Sequence, residues 1–289
     1  MKREQTGLEW LTRSGPVSGP EEGSVWFADI AARLLNGWDL SIRGEPYRLA
    51  EIEFYHYSPP GHADPFAHRN PIQRLLGRWC FHRAGREGGG SYRGGSFKGL
   101  DLTFGDGQAF GGILIRGFVA PDGALIDGPS LCVDHLLARA GVERVADLDG
   151  LIAERTAWDE ESPLVLTPAV APRSDRVFRS ARVGLALKQD KTDAEAVKFA
   201  LWPYRFLTEP KRIAKGKIHL ALALHAQGHS LEEIVELTGC ARLAAARYIA
   251  DCRAGRSSPG FAEHFHADLN PVALCRLHGA WSANYGEGC

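Results

Sequence analysis

Two carboxylates and a phenol lie at alternating positions in the segment 47–68, YRLAEIEFYHYSPPGHADPFAH. The first part of this segment predicts a β-strand, in which successive side chains point to opposite faces, so Glu51, Glu53 and Tyr55 share one face. A carboxylate can deprotonate a water molecule and stabilise a neighbouring positive charge, so this face could support hydrolysis. A solvent-exposed strand gives the same alternation, and taken alone the segment favours that plainer interpretation.

The composition of the 289-residue chain narrows the classes of protein to which it can belong. Its 34 Lys and Arg residues are balanced by 35 Asp and Glu residues, so a nucleic-acid partner would have to meet a local basic patch. No apolar run is long enough to span a bilayer, and the start MKREQTG lacks the apolar core of a signal peptide. We therefore expect no membrane partner and a cytoplasmic location, nucleoid-associated in a bacterium. The six cysteines are irregularly spaced and form no CxxC pair, which predicts mostly reduced thiols.

The surrounding sequence predicts an α+β fold. Residues 1–24 are rich in Gly, Ser, Pro and Glu and predict a flexible leader, after which VWFADIAARLLNG has the apolar spacing of a packed helix. Short β-like runs follow, namely LSI, YRLAEIEFY, RWCFHR, LDLTF and GGILIRGF, with PLVLTP, RVGLAL and RFLTE further on. Residues 128–156 have helical patterns. We therefore expect residues 25–212 to form a domain built on a curved antiparallel β-sheet, of the roll or barrel type, with flanking helices.

The sequence that follows predicts a small all-α module. Residues 213–256 contain three helical runs separated by short turns, a rhythm typical of a helix-turn-helix. Ser230 and Glu233 have the spacing of a capping box, and the third helix would present Arg242 and Arg247 to the solvent, where they could contact DNA. Such trihelical units also dock other proteins, so both kinds of partner stay open. The apolar residues expected to form the core of this module are Leu222, Ile234, Leu237, Ala245 and Ile249.

Cysteines and histidines near the C-terminus raise the question of a metal site. They are Cys252, His264, His266, Cys275, His278 and Cys289, and their spacing lacks the close pairs usual in structural zinc sites. We therefore expect isolated thiols and surface histidines, with no metal and no cofactor. The tail that carries most of them, residues 257–289, has one apolar stripe that either folds back on the body or meets a partner.

A series of short motifs occurs in a fixed order between residues 27 and 210. They are FADIAARLLNG, LAEIEFY, HADPFAHR, GDGQAFGGILIRGFVAPDG, IDGPSLCVDHLL, SARVGLALK and YRFLTEP. In this order they resemble the motifs of the alkyladenine (3-methyladenine) DNA glycosylase family. The resemblance implies that Glu53 is the catalytic base and that Tyr55 stacks on the extruded base. It also implies that His68 contacts the flipped nucleotide and that Arg116 lies beside the catalytic acid.

Departures from the family pattern bear on the base that the chain would accept, and one of them is a longer loop between Tyr55 and His68. The family's Tyr-Val-Tyr strand is matched here by Trp79, Cys80 and Phe81, so Phe81 would line the base pocket, and Asp101 replaces an asparagine at the base edge. A carboxylate accepts hydrogen bonds, whereas an asparagine also donates them, so the preferred base could differ from an alkylated purine. Alkylated or deaminated purines are the family default. A hypermodified phage pyrimidine is the alternative, and it would imply defence rather than repair.

The chemistry that the resemblance implies can be followed on these residues. A base in a duplex must leave the stack before its N-glycosidic bond can be hydrolysed, and flat side chains such as Tyr55 and His68 could enclose it. Departure of the base leaves an oxocarbenium-like sugar, beside which Glu53 would stabilise positive charge and activate water. Arg116 would keep that carboxylate ionised. Glu51 is either a competitor for the role of base or an anchor for the strand.

The glycine-rich segment GGGSYRGGSFKGLD could contact the DNA backbone or fill the gap left by the base. Its glycines expose backbone N–H groups, Arg93 and Lys98 add positive charge, and Tyr92 or Phe97 could insert into the duplex. It lacks the spacing of a Walker A loop, and a flexible hairpin is an equal alternative. The motifs place no lysine as a Schiff-base nucleophile, Lys98 being the one to check, so we expect hydrolysis without strand cleavage.

Together these features predict a monofunctional DNA glycosylase that acts as a monomer on double-stranded DNA, leaves an abasic site and carries a helix-turn-helix. The first alternative is a non-catalytic DNA-binding protein or transcriptional regulator on a glycosylase-like scaffold. The second is an enzyme that acts on a free nucleoside or on RNA. A buried acid–arginine pair favours the enzyme, because a protein that only binds DNA does not need one.

Overall fold

The structure, a computed structural model, describes residues 9–13, 15–85, 88–188 and 191–286. It divides into two units, one ending at Val177 and the other beginning at Phe178. The sequence placed this boundary near residue 212 instead. The difference arises because the short strand that begins at Phe178 pairs with the strand Arg205–Leu207 and contacts the first helix of the C-terminal module. The segment before residue 212 therefore belongs with the C-terminal helices.

The first unit is built around an antiparallel sheet that curls into a half-barrel. Its strands are β1 (Trp38–Ile42), β2 (Glu45–Ser58), β3 (His62–Ala63), β4 (Leu76–Phe81), β5 (Leu100–Phe104), β6 (Phe110–Val119), β7 (Leu125–Asp127) and β8 (Leu164–Pro168). The strand order is β4-β5-β6-β2-β1-β8, with β3 beside β2 and β7 beside β6. The register shifts on both sides of Glu51, which marks bulging that increases the local twist. The predicted α+β class and curved antiparallel sheet are confirmed.

Helix α1 (Pro20–Gly37) packs against the apolar face of this sheet. The ring of Phe27 stacks on Phe54 of β2, with 4.7 Å between the ring centroids. Two further helices, α2 (Pro129–Ala140) and α3 (Val145–Ile152), follow the sheet in sequence, and α2 contacts β6 and β7. The core of the first unit therefore forms where aromatic and aliphatic side chains of α1 meet the middle strands.

The predicted flexible leader is wrong for the part that the structure describes. Helix α1 starts at Pro20, because proline fits the first helical position and the carboxylates of Glu21 and Glu22 favour the first turn. Leu11 and Val17 are buried as well, so the leader is anchored by apolar packing before the helix begins. Residues 1–8 and 14, which the prediction also covered, lie outside the described residues.

The second unit consists of β9 (Phe178–Ser180), α4 (Ala194–Leu201), β10 (Arg205–Leu207), α5 (Lys217–Ala226), α6 (Leu231–Thr238), α7 (Arg242–Arg256) and α8 (Pro271–Tyr285). Helices α5, α6 and α7 correspond to the predicted helix-turn-helix. The capping box of α6 is confirmed, since Ser230 Oγ accepts from Glu233 N at 3.2 Å and Glu233 Oε2 accepts from Ser230 N at 2.7 Å. Four of the predicted core residues, Leu222, Ile234, Ala245 and Ile249, are buried, and Leu237 is half-buried.

The C-terminal tail folds back on α7 as helix α8, one of the two outcomes that the sequence left open. Glycines allow this close approach, because a Cβ at Gly279 would lie 1.9 Å from the Cys252 carbonyl oxygen and one at Gly255 would lie 2.0 Å from the Arg276 carbonyl oxygen. The predicted strand RVGLAL does not form, since Gly184 turns the chain at φ 81°. Among the described residues, no helix combines the length and the apolar character needed to cross a membrane.

Candidate active site

A buried arginine joins the two acids of β2. Strand β6 pairs with β2 so that Leu114 lies opposite Glu53 and Gly117 lies opposite Glu51, which places Arg116 between the two carboxylates. Arg116 Nε donates to Glu51 Oε1 at 2.9 Å, and its Nη1 donates to Glu53 Oε2 at 3.3 Å.

The phenol of Tyr55 completes this group on the side of Glu53. Tyr55 Oη donates to Glu53 Oε2 at 2.9 Å. The structure therefore brings together the three predicted catalytic residues, Glu51, Glu53 and Arg116, and the first predicted wall of the base pocket. These four residues are called the acid cluster below.

The acid cluster is buried, which rules out the plainer interpretation of β2 as an exposed strand. Glu51 and Glu53 are 0% exposed and Arg116 is 4% exposed. Buried charges are expensive unless they are paired and hydrogen-bonded. Burial by itself lowers the pKa of Arg116, but the negative charges of Glu53 and Glu51 more than reverse this and raise its pKa above the ordinary value. The guanidinium therefore stays charged and holds both carboxylates in place.

The two acids have different neighbours. Glu51 lies towards α2, close to Cys132. Burial is the main cause that raises the pKa of the Cys132 thiol, and the negative charge of Glu51 raises it further. Glu53 lies in one row across three strands, opposite Leu114 on β6, which is in turn opposite Asp101 on β5. Residues that face each other across antiparallel strands point to the same side of the sheet. Glu53, rather than Glu51, is therefore the acid that shares its row with the predicted base-edge residue.

A second polar group surrounds Asp101, which is 1% exposed. Gln73 Nε2 donates to Asp101 Oδ2 at 2.8 Å, and His82 Nε2 lies 2.9 Å from Asp101 Oδ1. The ring of His68 packs on that of His82, with 4.3 Å between centroids and 30° between planes. Burial by itself raises the pKa of Asp101, but the charge and hydrogen bond of His82, followed by His68 and Gln73, outweigh it and lower the pKa. Asp101, Gln73, His82 and His68 are called the histidine cluster below.

Gly112 of β6 lies between the two clusters. It is paired with Tyr55 on one side, and a Cβ at this position would lie 2.6 Å from Gln73 Nε2 and 2.7 Å from Asp101 Oδ2. Only a residue without a side chain leaves room for these polar atoms over the strand. The space bounded by His68, Gln73, Asp101 and their neighbours is about 10 Å³, which has room for about one water molecule.

Phe81 is among the residues that line the small space beside His68 and Asp101. It pairs with Leu100 across the β4–β5 ladder, whereas its neighbour Cys80 pairs with Asp101. Because side chains alternate along a strand, Cys80 shares its face with Asp101. His82, which the sequence analysis did not single out, lies on the Asp101 side as well and lines the same space. The alternation Cys80, His82 in the strand WCFH was the signal for this, but it became informative only once the register was known.

The loop between β4 and β5 is a hairpin that is held against the body. Tyr92 Oη donates to Asp149 Oδ2 at 2.5 Å, and the guanidinium of Arg83 lies 3.9 Å from the centre of the Tyr92 ring. Burial and the hydrogen bond to Asp149 raise the pKa of Tyr92 to about 12. The structure therefore anchors Tyr92, one of the two predicted wedge residues, through its hydroxyl and its ring.

The other predicted wedge residue, Phe97, is 70% exposed at the tip of the loop. The adjacent Lys98 forms an ion pair with Asp134 of α2. Arg93 Nε donates to the carbonyl oxygen of Arg83 at 3.2 Å, so it also helps to shape the loop. Lys98 therefore points to α2, whereas the ring of Phe97 is exposed to the solvent.

On the helix-turn-helix, α7 presents both predicted arginines to the solvent. Arg242 forms an ion pair with Glu232 of α6, and Arg247 is exposed one turn further along the helix. Lys217, part of the basic entry to this module, has a structural role, because its Nζ donates to the carbonyl oxygens of Lys211 at 3.0 Å and Pro210 at 2.8 Å.

Among the residues that the structure describes, no group of three His, Cys, Asp or Glu side chains could hold a metal ion. His278, one of the residues considered for zinc, instead pairs with another histidine, and its Nε2 lies 2.8 Å from Nδ1 of His219. Cys275 carries a free thiol, as do Cys80, Cys132 and Cys240.

Comparison with known proteins finds an uncharacterized viral relative of this chain. No family model matches the chain. An uncharacterized protein of Acanthamoeba polyphaga mimivirus is 30% identical over 212 residues, which cover 68% of this chain and 91% of the relative.

Proposed function

This chain belongs to the same family as that mimivirus protein, and we propose that it is a monofunctional DNA glycosylase. The observation that carries the proposal is the buried arginine that bridges two strand carboxylates, one of which also accepts a hydrogen bond from Tyr55. Buried, charge-paired acids are found at many sites that perform acid–base chemistry. The order of the sequence motifs, which resembles that of the alkyladenine DNA glycosylases, indicates the reaction class.

In the proposed reaction, Glu53 acts as the general base. The bond between C1′ of the sugar and the base nitrogen breaks, and its electron pair leaves with the base. Glu53 takes a proton from a water molecule whose oxygen bonds to C1′, while its charge stabilises the oxocarbenium-like sugar. Arg116 orients the Glu53 carboxylate, and Glu51 anchors the other side of the guanidinium. Glu53 then releases its proton to the solvent and the departed base takes one up, so the products are a free base and an abasic site, and no lysine takes part.

Double-stranded DNA is the proposed partner, bound by a monomer in the cytoplasm or on the nucleoid. The base would enter beside His68 once the site opens, because the space lined by His68, Gln73 and Asp101 has room for about one water molecule. Phe97 at the tip of that loop would fill the gap left in the duplex. The exposed Arg247 of α7 would contact the DNA backbone.

One observation favours a second candidate, a DNA-binding protein that keeps the scaffold without catalysis. Glu53 is 0% exposed, so water and sugar reach it only after the site opens. In a protein that only binds DNA, the acid cluster would be a structural ion-pair network. This candidate predicts binding of DNA without release of any base.

A screen for released bases separates the two candidates. Purified protein would be incubated with genomic DNA from alkylated, deaminated and hypermodified phage sources, and free bases would be identified by mass spectrometry. We expect release from at least one source by the wild-type protein and none by Glu53→Gln. Release of no base from any source would contradict the enzyme and favour the binding protein.

A further inference from the structure

Two arginines lie on aromatic rings at the end of β2. The Cζ atom of Arg69 lies 5.0 Å from the centre of the Tyr57 ring, and that of Arg74 lies 4.4 Å from the centre of the Phe110 ring. The two rings meet edge to face, with 6.3 Å between their centroids and 65° between their planes. These four side chains form one row and are called the arginine strip below.

The arginine strip presents positive charge that no carboxylate of the described chain neutralises. Arg69 and Arg74 are exposed, and within the residues that the structure describes neither side chain forms an ion pair or a hydrogen bond. Arg83 and Arg116, by contrast, pair with acids. A guanidinium that lies on a ring keeps its N–H groups at its edge, where they can bind an anion. The strip therefore offers two sets of donors to a negatively charged partner.

The backbone between the two arginines fixes their spacing. It forms a short 3-10 helix, Pro71–Arg74, whose cap is Asn70. Asn70 Oδ1 accepts from Ile72 N at 3.0 Å, and Asn70 N donates to Gln73 Oε1 at 3.1 Å. Arg69 has a φ of 54°, in the left-handed region that residues with a side chain rarely adopt and that recurs at binding sites. The two guanidinium groups are therefore held in place before a partner arrives.

The arginine strip lies on the face of the sheet that carries Glu53. Tyr57 pairs with Phe110, and Glu53 pairs with Leu114, in the same antiparallel ladder, so both pairs point to one side. Four residues of extended chain separate Tyr57 from Glu53 by roughly 13 Å. Gln73 belongs both to the turn between the arginines and to the histidine cluster. A DNA strand whose sugar lies beside Glu53 would therefore continue over the strip.

We infer that the arginine strip binds phosphates of the DNA backbone beside the target nucleotide. Arginine can donate two parallel hydrogen bonds to one phosphate, and the rings below orient the guanidinium groups for this contact. Contacts to phosphate position a strand without reading its sequence, so the strip holds the DNA and leaves the choice of base to the pocket. The inference rests on the proposed function and names the surface through which the same site holds its DNA.

A binding assay that needs no knowledge of the excised base would test the inference. The probes are a duplex that carries a tetrahydrofuran abasic-site analogue and the same duplex without it, and affinity is measured by fluorescence anisotropy over a range of salt concentrations. Arg69→Gln and Arg74→Gln should each lower the slope of log affinity against log salt by about 1, and the double variant by about 2. Arg33→Gln, on an exposed arginine of α1, is the control and should keep the wild-type slope.

Two further measurements distinguish an oriented contact from positive charge alone. Arg69→Lys with Arg74→Lys keeps both charges but loses the planar donors, so the slope should stay at the wild-type value while the affinity falls. Duplexes with one neutral methylphosphonate linkage near the abasic analogue locate the contacts. At a contacted position the neutral linkage should lower the slope by about 1 for the wild-type protein and have no further effect in the matching glutamine variant.

The outcomes separate the arginine strip from the glycosylase. If the glutamine variants keep the wild-type slope and affinity, as Arg33→Gln should, the strip does not bind phosphate, and the glycosylase still stands. If the slopes fall as expected but the genomic screen releases no base, the strip stands and the enzyme is overturned in favour of the binding protein. If the wild-type protein binds neither duplex and releases no base, both proposals are overturned.

Discussion

Replacing Arg116 with methionine should destabilise the first unit strongly, because it leaves two buried carboxylates without their cation. The substitution removes contacts of 2.9 Å and 3.3 Å from acids that are 0% exposed. Removing one partner of a buried ion pair costs about 3–5 kcal/mol in the free energy of unfolding. Urea unfolding followed by tryptophan fluorescence would measure this, since Trp79 lies in the same sheet. A triple variant that also carries Glu51→Gln and Glu53→Gln should recover much of the loss, because no buried charge is left unpaired.

A surface ion pair supplies the matched control for this substitution. Arg33 and Asp29 form an exposed pair on α1, with side chains 53% and 56% exposed. Exposed pairs of this kind contribute about 0.3–0.5 kcal/mol, so Arg33→Met should change the stability little. If Arg116→Met were no more destabilising than Arg33→Met, the acid cluster would not be a buried charge network and the reasoning about its role would be refuted.

Three further predictions concern other parts of the chain. Burial lowers the pKa of His56 to about 3. The neutral ring therefore contributes its full stability at pH values above 6.5, the ordinary pKa of histidine, and this contribution is lost as the pH falls towards 3. His56→Phe should therefore flatten the loss of stability between pH 6.5 and 4, measured by urea unfolding, by a few kcal/mol at most; an unchanged acid profile would contradict this. Ser230→Ala removes the cap of α6 and should cost about 1 kcal/mol, seen as faster hydrogen exchange of the first amides of that helix; unchanged exchange would exclude the capping role. Arg247→Ala should weaken DNA binding and reduce the slope of log affinity against log salt by about 1, whereas an unchanged slope would remove this residue from the interface.

Local sequence patterns predicted the elements that carry the site but not the contacts between them. The alternation in β2 placed Glu51, Glu53 and Tyr55 on one face, and the capping box located the start of α6. The partner of Glu53 is 63 positions away in the sequence, and no spacing rule reaches that far. Only the resemblance to a known family selected Arg116.

The misplaced residues share one physical cause, the register between distant segments. A shift of one residue along a strand moves a side chain to the opposite face, so His82 could be recognised as the partner of Asp101 only once the pairing of β4 with β5 was known. Tyr92 seemed free to insert into DNA because its partner Asp149 lies 57 positions further along the chain. The unit boundary moved for the same reason, since β9, which the sequence assigned to the first domain, contacts α5 of the C-terminal module.

The central claim is that Glu53 is the base of a glycosylase. Its most direct test is single-turnover release of whichever base the genomic screen identifies, measured for the wild-type protein and for Glu53→Gln, with affinity for the same duplex measured by fluorescence anisotropy. Loss of a general base lowers a rate by about 10²–10⁴-fold, so Glu53→Gln should lose excision by this amount while its DNA affinity stays nearly unchanged. Excision by Glu53→Gln at the wild-type rate would contradict the account.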